Sequence, residues 1–397
     1  MYLCKATSIH CSVPSPQVIV VPQENGETLI SVKNKQPADH RLMLASGRAR
    51  QHGMEARQHP PMRRYPLIRE YGRRYREGHT DEKHNQNQNT IMFDLTKTPL
   101  RGIVPPLVTP LTDNETLDVE SLERLIEHLI RGGVHGLFVL GTTGEEQSLS
   151  YAVREQMIRE SCRINRGRLP LLACITDTSI VESIHLANVA KECGADGLVS
   201  APPYYFATGQ PELAQFYEEL VPQLPLPVFL YNMPSHVKVS FAPETVARLA
   251  RMRQVVGLKD SSANATYFQS VMYAARKVNP DFAMLCGPEE MTGELVIMGA
   301  DGGVNGGANM FPELYVGMYN AARDRDIDTL IALQQKIMQI SMSIYNIGRH
   351  GSSYLKGLKC ACQQLGIINS DFVASPFYKF DEPERIKVAE ALKRLDM

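Results

Sequence analysis

GIVPPLVTPLTDNETLDVESLERLIEHLIRGGVHGLFVLGTTGE, residues 102–145, carries the pattern on which the fold turns. A short apolar run at Ile103–Val108 leads into an amphipathic stretch over 118–131, and a second apolar run follows at Gly136–Leu140. Within 118–131, Leu122, Leu125, Ile126 and Leu129 recur at the spacing of one helix face. Short apolar runs separated by an amphipathic helix read as parallel strands joined by a crossover.

The unit repeats. Further strands are predicted at Pro170–Ile175, Gly197–Ala201, Pro227–Tyr231, Val255–Lys259, Phe282–Cys286 and Gly303–Asn305. Helices are predicted over about 150–165, 180–193, 210–220, 243–251, 264–278, 290–298 and 312–323. Pro243 and Pro312 stand at first-turn positions, where proline's missing N–H costs little. Eight consecutive strand–helix units predict an α/β fold closed as a (β/α)8 TIM barrel, assigned to residues 98–324. An open doubly wound sheet is the alternative. It usually needs a glycine-rich phosphate loop after its first strand, and none is present. Residues 325–397 predict a C-terminal helical region, in which Ile331, Leu333, Ile337, Ile340 and Ile344 have the spacing of helices that pack on something.

Residues 1–97 are a different kind of polypeptide. Up to residue 91 there are 14 Lys/Arg and 8 Asp/Glu, whereas the remainder has 28 and 35. The segment is rich in Arg, His, Gln and Asn, and residues 16–33 offer only a weak hairpin. This composition predicts a disordered extension. A start of translation at Met92 is a second reading, and a basic-aromatic RNA-binding arm is a third. Eight acidic residues count against a transit peptide, and no apolar run follows Lys5 to make a secretory signal.

For the 397 residues as a whole, 43% hydrophobic and 21% charged composition excludes full-length disorder. No stretch approaches the ~18 uninterrupted apolar residues of a membrane span. A net charge of −1 gives no reason to expect nucleic acid as a partner. Eight scattered cysteines without a CxxC pair fit a reduced, cytoplasmic protein and offer no zinc spacing.

Catalytic groups of such barrels sit where strands end and loops begin. Lys259 falls inside an apolar strand, where a lysine is expensive unless paired or functional. It either pairs with Asp260 or serves as a desolvated amine that attacks a ketone and forms a Schiff base. Pairing is awkward, because neighbouring strand residues point to opposite faces. Schiff-base chemistry also needs proton transfer. Tyr231, one strand away at matching height, can supply it with Thr142, Thr143 and Tyr205 as further hydroxyls. Taken singly, a core tyrosine or a turn threonine is more often structural than catalytic; together they point to chemistry. The glycines around Thr142-Thr143 permit a tight turn whose N–H groups face a substrate carboxylate.

The motifs GTTGE (141–145), PPYY (202–205), YNMPS (231–235), GLKDSS (257–262) and GADGGV (299–304) fall in order at the strand ends. In this combination, from about residue 100 to 395, the chain resembles the dihydrodipicolinate synthase / N-acetylneuraminate lyase family of pyruvate-linked class I aldolases. The resemblance implies a barrel with C-terminal helices. It implies that Lys259 forms the Schiff base with pyruvate and that Tyr231 donates and accepts protons. Thr142 and Tyr205 would complete the relay, Tyr205 reaching across from a neighbouring subunit. Thr143 would hold the pyruvate carboxylate, and Val304 would offer its backbone beside it. No metal or organic cofactor is implied. The partners are a keto acid, an aldehyde and further copies of the chain, in a tetramer or dimer.

The GTTGE and YN-x-PS forms resemble the synthase branch, which implies 4-hydroxy-tetrahydrodipicolinate synthase: condensation of pyruvate with aspartate semialdehyde, on the lysine pathway. One position departs. The synthase's arginine after the PS pair, which grips the aldehyde's carboxylate, is His236 here. An imidazole is a poor substitute for a bidentate guanidinium at neutral pH. A lyase acting on N-acetylneuraminate or a 2-keto-3-deoxy sugar acid is therefore the alternative. A barrel that binds without reacting is the third possibility, and the joint presence of Lys259, Tyr231 and Thr142 argues against it.

Overall fold

The computed structural model describes residues 93–395 and the backbone of two short strands, Gln17–Pro22 and Thr28–Lys33. Those two strands pair antiparallel, with Gln17 opposite Lys33, so the weak hairpin forms. At its C-terminal end the expected disordered extension is too long, since residues 93–97 are ordered: Leu95 is buried and Phe93 N–H donates to Asp196 Oδ1 at 2.8 Å. Its remaining residues, with Met92, lie outside the described residues.

From Phe93 onward the chain forms a ring of parallel strands. These are β1 (Gly102–Ile103), β2 (Leu137–Val139), β3 (Leu171–Cys174), β4 (Gly197–Ser200), β5 (Val228–Asn232), β6 (Val255–Asp260), β7 (Ala283–Cys286) and β8 (Gly302–Gly303). Each of β2 to β8 pairs with its sequence neighbour, and β8 pairs with β1. The ring closes through Pro106, bridged to Phe138: Leu107 N–H donates to Phe138 O at 2.8 Å, and Phe138 N–H donates to Pro105 O at 3.1 Å. This is a (β/α)8 barrel. The first strand is shorter than the predicted 103–108, because Pro105 and Pro106 have no N–H to offer a ladder. The last ends at Gly303 rather than Asn305, where the chain tightens into a 3-10 turn over Gly306–Asn309.

Helices α1 (Val119–Arg131), α2 (Tyr151–Asn165), α3 (Ile180–Cys193), α4 (Gln210–Leu220), α5 (Pro243–Leu249), α6 (Ala265–Arg276), α7 (Thr292–Ile297) and α8 (Pro312–Asp324) cover the ring. Their starts are chemically marked. Asp118 accepts from Ser121 N–H at 3.0 Å, Asn264 accepts from Tyr267 N–H at 3.0 Å, and Pro243 and Pro312 open α5 and α8. Helix α1 buries the expected face of Leu122, Leu125, Ile126 and Leu129. Three more helices follow: α9 (Ile327–Ser343), α10 (Ser353–Gln364) and α11 (Glu382–Leu395). Of the expected packing face, Ile337, Ile340 and Ile344 are fully buried and Leu333 partly so, whereas Ile331, near the start of α9, is 51% exposed. No helix among the described residues is long and apolar enough to cross a membrane.

Strand β6 is buried throughout, and Gly257 sets how closely its neighbours approach. A Cβ there would lie 2.5 Å from the Phe229 ring and 2.6 Å from the carbonyl oxygen of Ala283. Gly257→Ala is expected to destabilise the barrel by about 2 kcal/mol through overpacking. Urea unfolding checks this, and an unchanged midpoint would show slack between the strands.

Candidate active site

Because side chains alternate along a strand, Lys259 and Asp260 leave β6 on opposite faces. Asp260 is fully engaged on its own side. One carboxylate oxygen accepts from Asn232 Nδ2 at 2.8 Å and from Ser262 N–H at 3.0 Å; the other accepts from Ser262 Oγ at 2.8 Å. Burial raises the Asp260 pKa against the pull of those donors. Lys259 turns inward and is only 5% exposed. Its Nζ lies 4.0 Å from the Tyr231 ring centroid and 5.0 Å from that of Phe138. No carboxylate among the described residues comes within 4.0 Å of it.

Tyr231 is the direct register partner of Lys259 across β5 and β6. Its hydroxyl lies 3.1 Å from Thr142 Oγ1, so phenol and alcohol can exchange a proton directly. Thr142 and Thr143 occupy a 3-10 turn after β2, closed by Gly144 N–H donating to Gly141 O at 2.8 Å. Lys259, Tyr231, Thr142, Thr143, His236 and Val304 all line one cavity of about 410 Å³. Tyr205 does not. It is 72% exposed, edge-on to the equally open Phe206.

His236 ends a single helical turn, Pro234–Val237, at the cavity rim. Although it is open to solvent, the surrounding protein and then the Lys259 charge hold its pKa below the ordinary imidazole value. It is therefore neutral at pH 7. No arginine among the described residues lines this cavity or the adjoining lobe of about 350 Å³. A comparable cleft of about 440 Å³ between Arg101, Arg276 and Asp301 lies at the opposite strand ends and holds none of these groups.

Several lining residues were not predicted. Tyr345 and Tyr354 reach in from the C-terminal helical region, whose sequence was read only for apolar spacing. Tyr354 OH lies 3.3 Å from Thr143 Oγ1. Glu289 lies three residues beyond β7 and is buried. It accepts from Tyr315 OH at 2.6 Å, Tyr345 OH at 2.9 Å and Gly307 N–H at 2.9 Å. Burial nevertheless pushes its pKa up to about 7.

The model of the dihydrodipicolinate synthetase family matches residues 99–395. The chain is 32% identical to the probable 2-dehydro-3-deoxy-D-pentonate aldolase YjhH of Escherichia coli, over 72% of this chain and 94% of that one. It is similar to the solved dihydrodipicolinate synthase of Bacteroides thetaiotaomicron, with TM-score 0.73, 66% identity and coverage of 75% of this chain and 99% of that one. It is also similar to YagE of Escherichia coli K12, solved in complex with pyruvate, with TM-score 0.72, 29% identity and coverage of 75% and 99%.

Glu146 borders the adjoining lobe beside Thr142 and Tyr231. It is buried, and its Oε1 has no hydrogen-bond partner. Desolvation raises its pKa to about 8, with Arg154 opposing. At neutral pH the folded protein therefore holds this carboxyl protonated, while the unfolded chain ionises it above about pH 4.3. The unfolded state then binds fewer protons, so this group lowers stability as pH rises from about 4.3 to 8. Glu146→Gln mimics the protonated form and is expected to remove that slope. Urea midpoints of both proteins across this range test it, and parallel profiles would count against a neutral Glu146.

Proposed function

The chain belongs to the dihydrodipicolinate synthetase family and is a Schiff-base class I lyase/aldolase, and from that premise we propose that it condenses pyruvate with aspartate semialdehyde, the 4-hydroxy-tetrahydrodipicolinate synthase reaction. One observation carries the pyruvate half: an unpaired, buried Lys259 amine faces a Tyr231–Thr142 hydroxyl pair in a single cavity. The 66% identity to a dihydrodipicolinate synthase supports the aldehyde half.

In this mechanism Lys259 Nζ attacks C2 of pyruvate, and the keto oxygen leaves as water as the imine forms. Tyr231, passing protons through Thr142, supplies the proton that the carbinolamine oxygen needs. It then removes one from the methyl carbon to give the enamine. The enamine carbon attacks the aldehyde and the new alkoxide takes up a proton; the semialdehyde's own amine then adds to the imine carbon and displaces Lys259, which closes the ring and frees the lysine. The Thr142-Thr143 turn holds the pyruvate carboxylate, with Val304 backbone beside it. Tyr205 extends the relay from a partner subunit of a dimer or tetramer, which suits its exposure in the single chain. The six cysteines among the described residues are free thiols.

A second reading, aldol cleavage of a 2-keto-3-deoxy sugar acid, is favoured by the acceptor end. His236 is neutral where a guanidinium would grip a carboxylate, and hydroxyl-bearing Ser261, Ser352 and Tyr345 line the cavity instead.

Borohydride reduction in the presence of pyruvate should leave a pyruvyl adduct on Lys259, seen by peptide mass mapping; an unmodified Lys259 in folded protein would sink the pyruvate reading. Tyr231→Phe should lower kcat about 10²- to 10⁴-fold. Comparing kcat/KM for aspartate semialdehyde with that for 2-keto-3-deoxygluconate separates the two acceptors. His236→Arg should raise turnover of the semialdehyde, and no gain would count against the synthase reading.

A further inference from the structure

Glu145 closes the GTTGE turn in a conformation that a side chain should avoid. Its φ of 61° is left-handed, where glycine fits without strain. Its carboxylate is also completely buried. Backbone strain and desolvation both oppose a glutamate here, so the carboxylate must be held by something specific.

That partner comes from more than 200 positions further along the chain. Lys359, on α10, is itself 0% exposed, and its Nζ donates to Glu145 Oε1 at 2.5 Å. The other carboxylate oxygen accepts from Ala374 N–H at 2.7 Å. The backbone of Glu145 is also tied into the turn. Its N–H donates to Thr142 O at 3.1 Å, and its carbonyl accepts from Ser148 N–H at 2.8 Å. One turn of α10 earlier, Tyr354 reaches Thr143 Oγ1. Helix α10 therefore holds the turn at both its hydroxyl and its carboxylate.

We propose that Lys359 is a positioning residue for the donor keto acid: through Glu145 it fixes the Thr142-Thr143 turn in the shape that receives the substrate carboxylate. Lys359 touches no reacting atom, and its effect is on donor binding. The proposal rests on the pyruvate reading above.

The test is the rate of borohydride trapping on Lys259 as a function of pyruvate concentration, in the full chain. The double variant Glu145→Gln/Lys359→Met removes both charges and strands neither. Glu145→Asp keeps the pair and shortens its arm by one methylene. Each should raise the half-saturating pyruvate concentration about tenfold, while the plateau trapping rate stays within about threefold of wild type. A half-saturation within twofold of wild type in either folded variant overturns the proposal. So does failure of both to fold, which would make the pair purely structural. Absence of an adduct in wild type would instead sink the pyruvate reading and leaves the two failures distinguishable.

Discussion

A primary amine held between two aromatic rings, with no carboxylate beside it, is the constraint that organises the upper end of this barrel. A carboxylate within a few ångströms would hold the amine in an ion pair and away from a substrate. The fold keeps carboxylates away from it by geometry. Asp260, adjacent in sequence, is turned to the other face of β6 and saturated by Asn232 and Ser262. Parallel pairing brings Tyr231 to the same height on the neighbouring strand, so a phenol stands where a counter-ion would have stood.

The other acids near the site obey the same constraint by different means. Glu145 is matched by a buried lysine. Burial favours the protonated form of Glu146 and brings Glu289 to the edge of titration. His236 is neutral. On the cavity wall itself the remaining charged groups are Lys259 and Glu290, whose carboxylate accepts from Ser341 Oγ at 2.5 Å. Around Lys259 the lining is rich in hydroxyls, from Thr142, Thr143, Tyr231 and Tyr354. That suits a site in which the imine must be the strongest electron sink.

Much of this was legible in the sequence because it is periodic or local. Alternating apolar runs marked eight strands, and Leu122, Leu125, Ile126 and Leu129 marked the buried face of α1. Lys259 was conspicuous because strands rarely carry buried charge. Prolines misled in one place: Val104 to Val108 is as apolar as a strand, but Pro105 and Pro106 cannot sustain a ladder. What stayed hidden was non-local. Glu145 read as part of a turn, and nothing local singled out Lys359 in the C-terminal helical region. Only folding across 214 positions reveals that they neutralise each other. Tyr345 and Tyr354 were likewise absorbed into the apolar spacing of packing helices.

Those non-local contacts change what the C-terminal helices are for. A barrel presents its strand ends to solvent and depends on loops to build a site. Here the loop after β2 carries a left-handed glutamate that the eight-unit barrel alone gives no reason to keep. Helix α10 supplies the reason: a lysine for the carboxylate, a tyrosine for the threonine, and a wall for the cavity. A buried ion pair contributes little net stability compared with apolar packing, but breaking one partner is costly. Such a pair is better suited to specifying a geometry than to holding a fold together. The catalytic turn is then as much a product of the appended helices as of the barrel, and neither part makes the site alone.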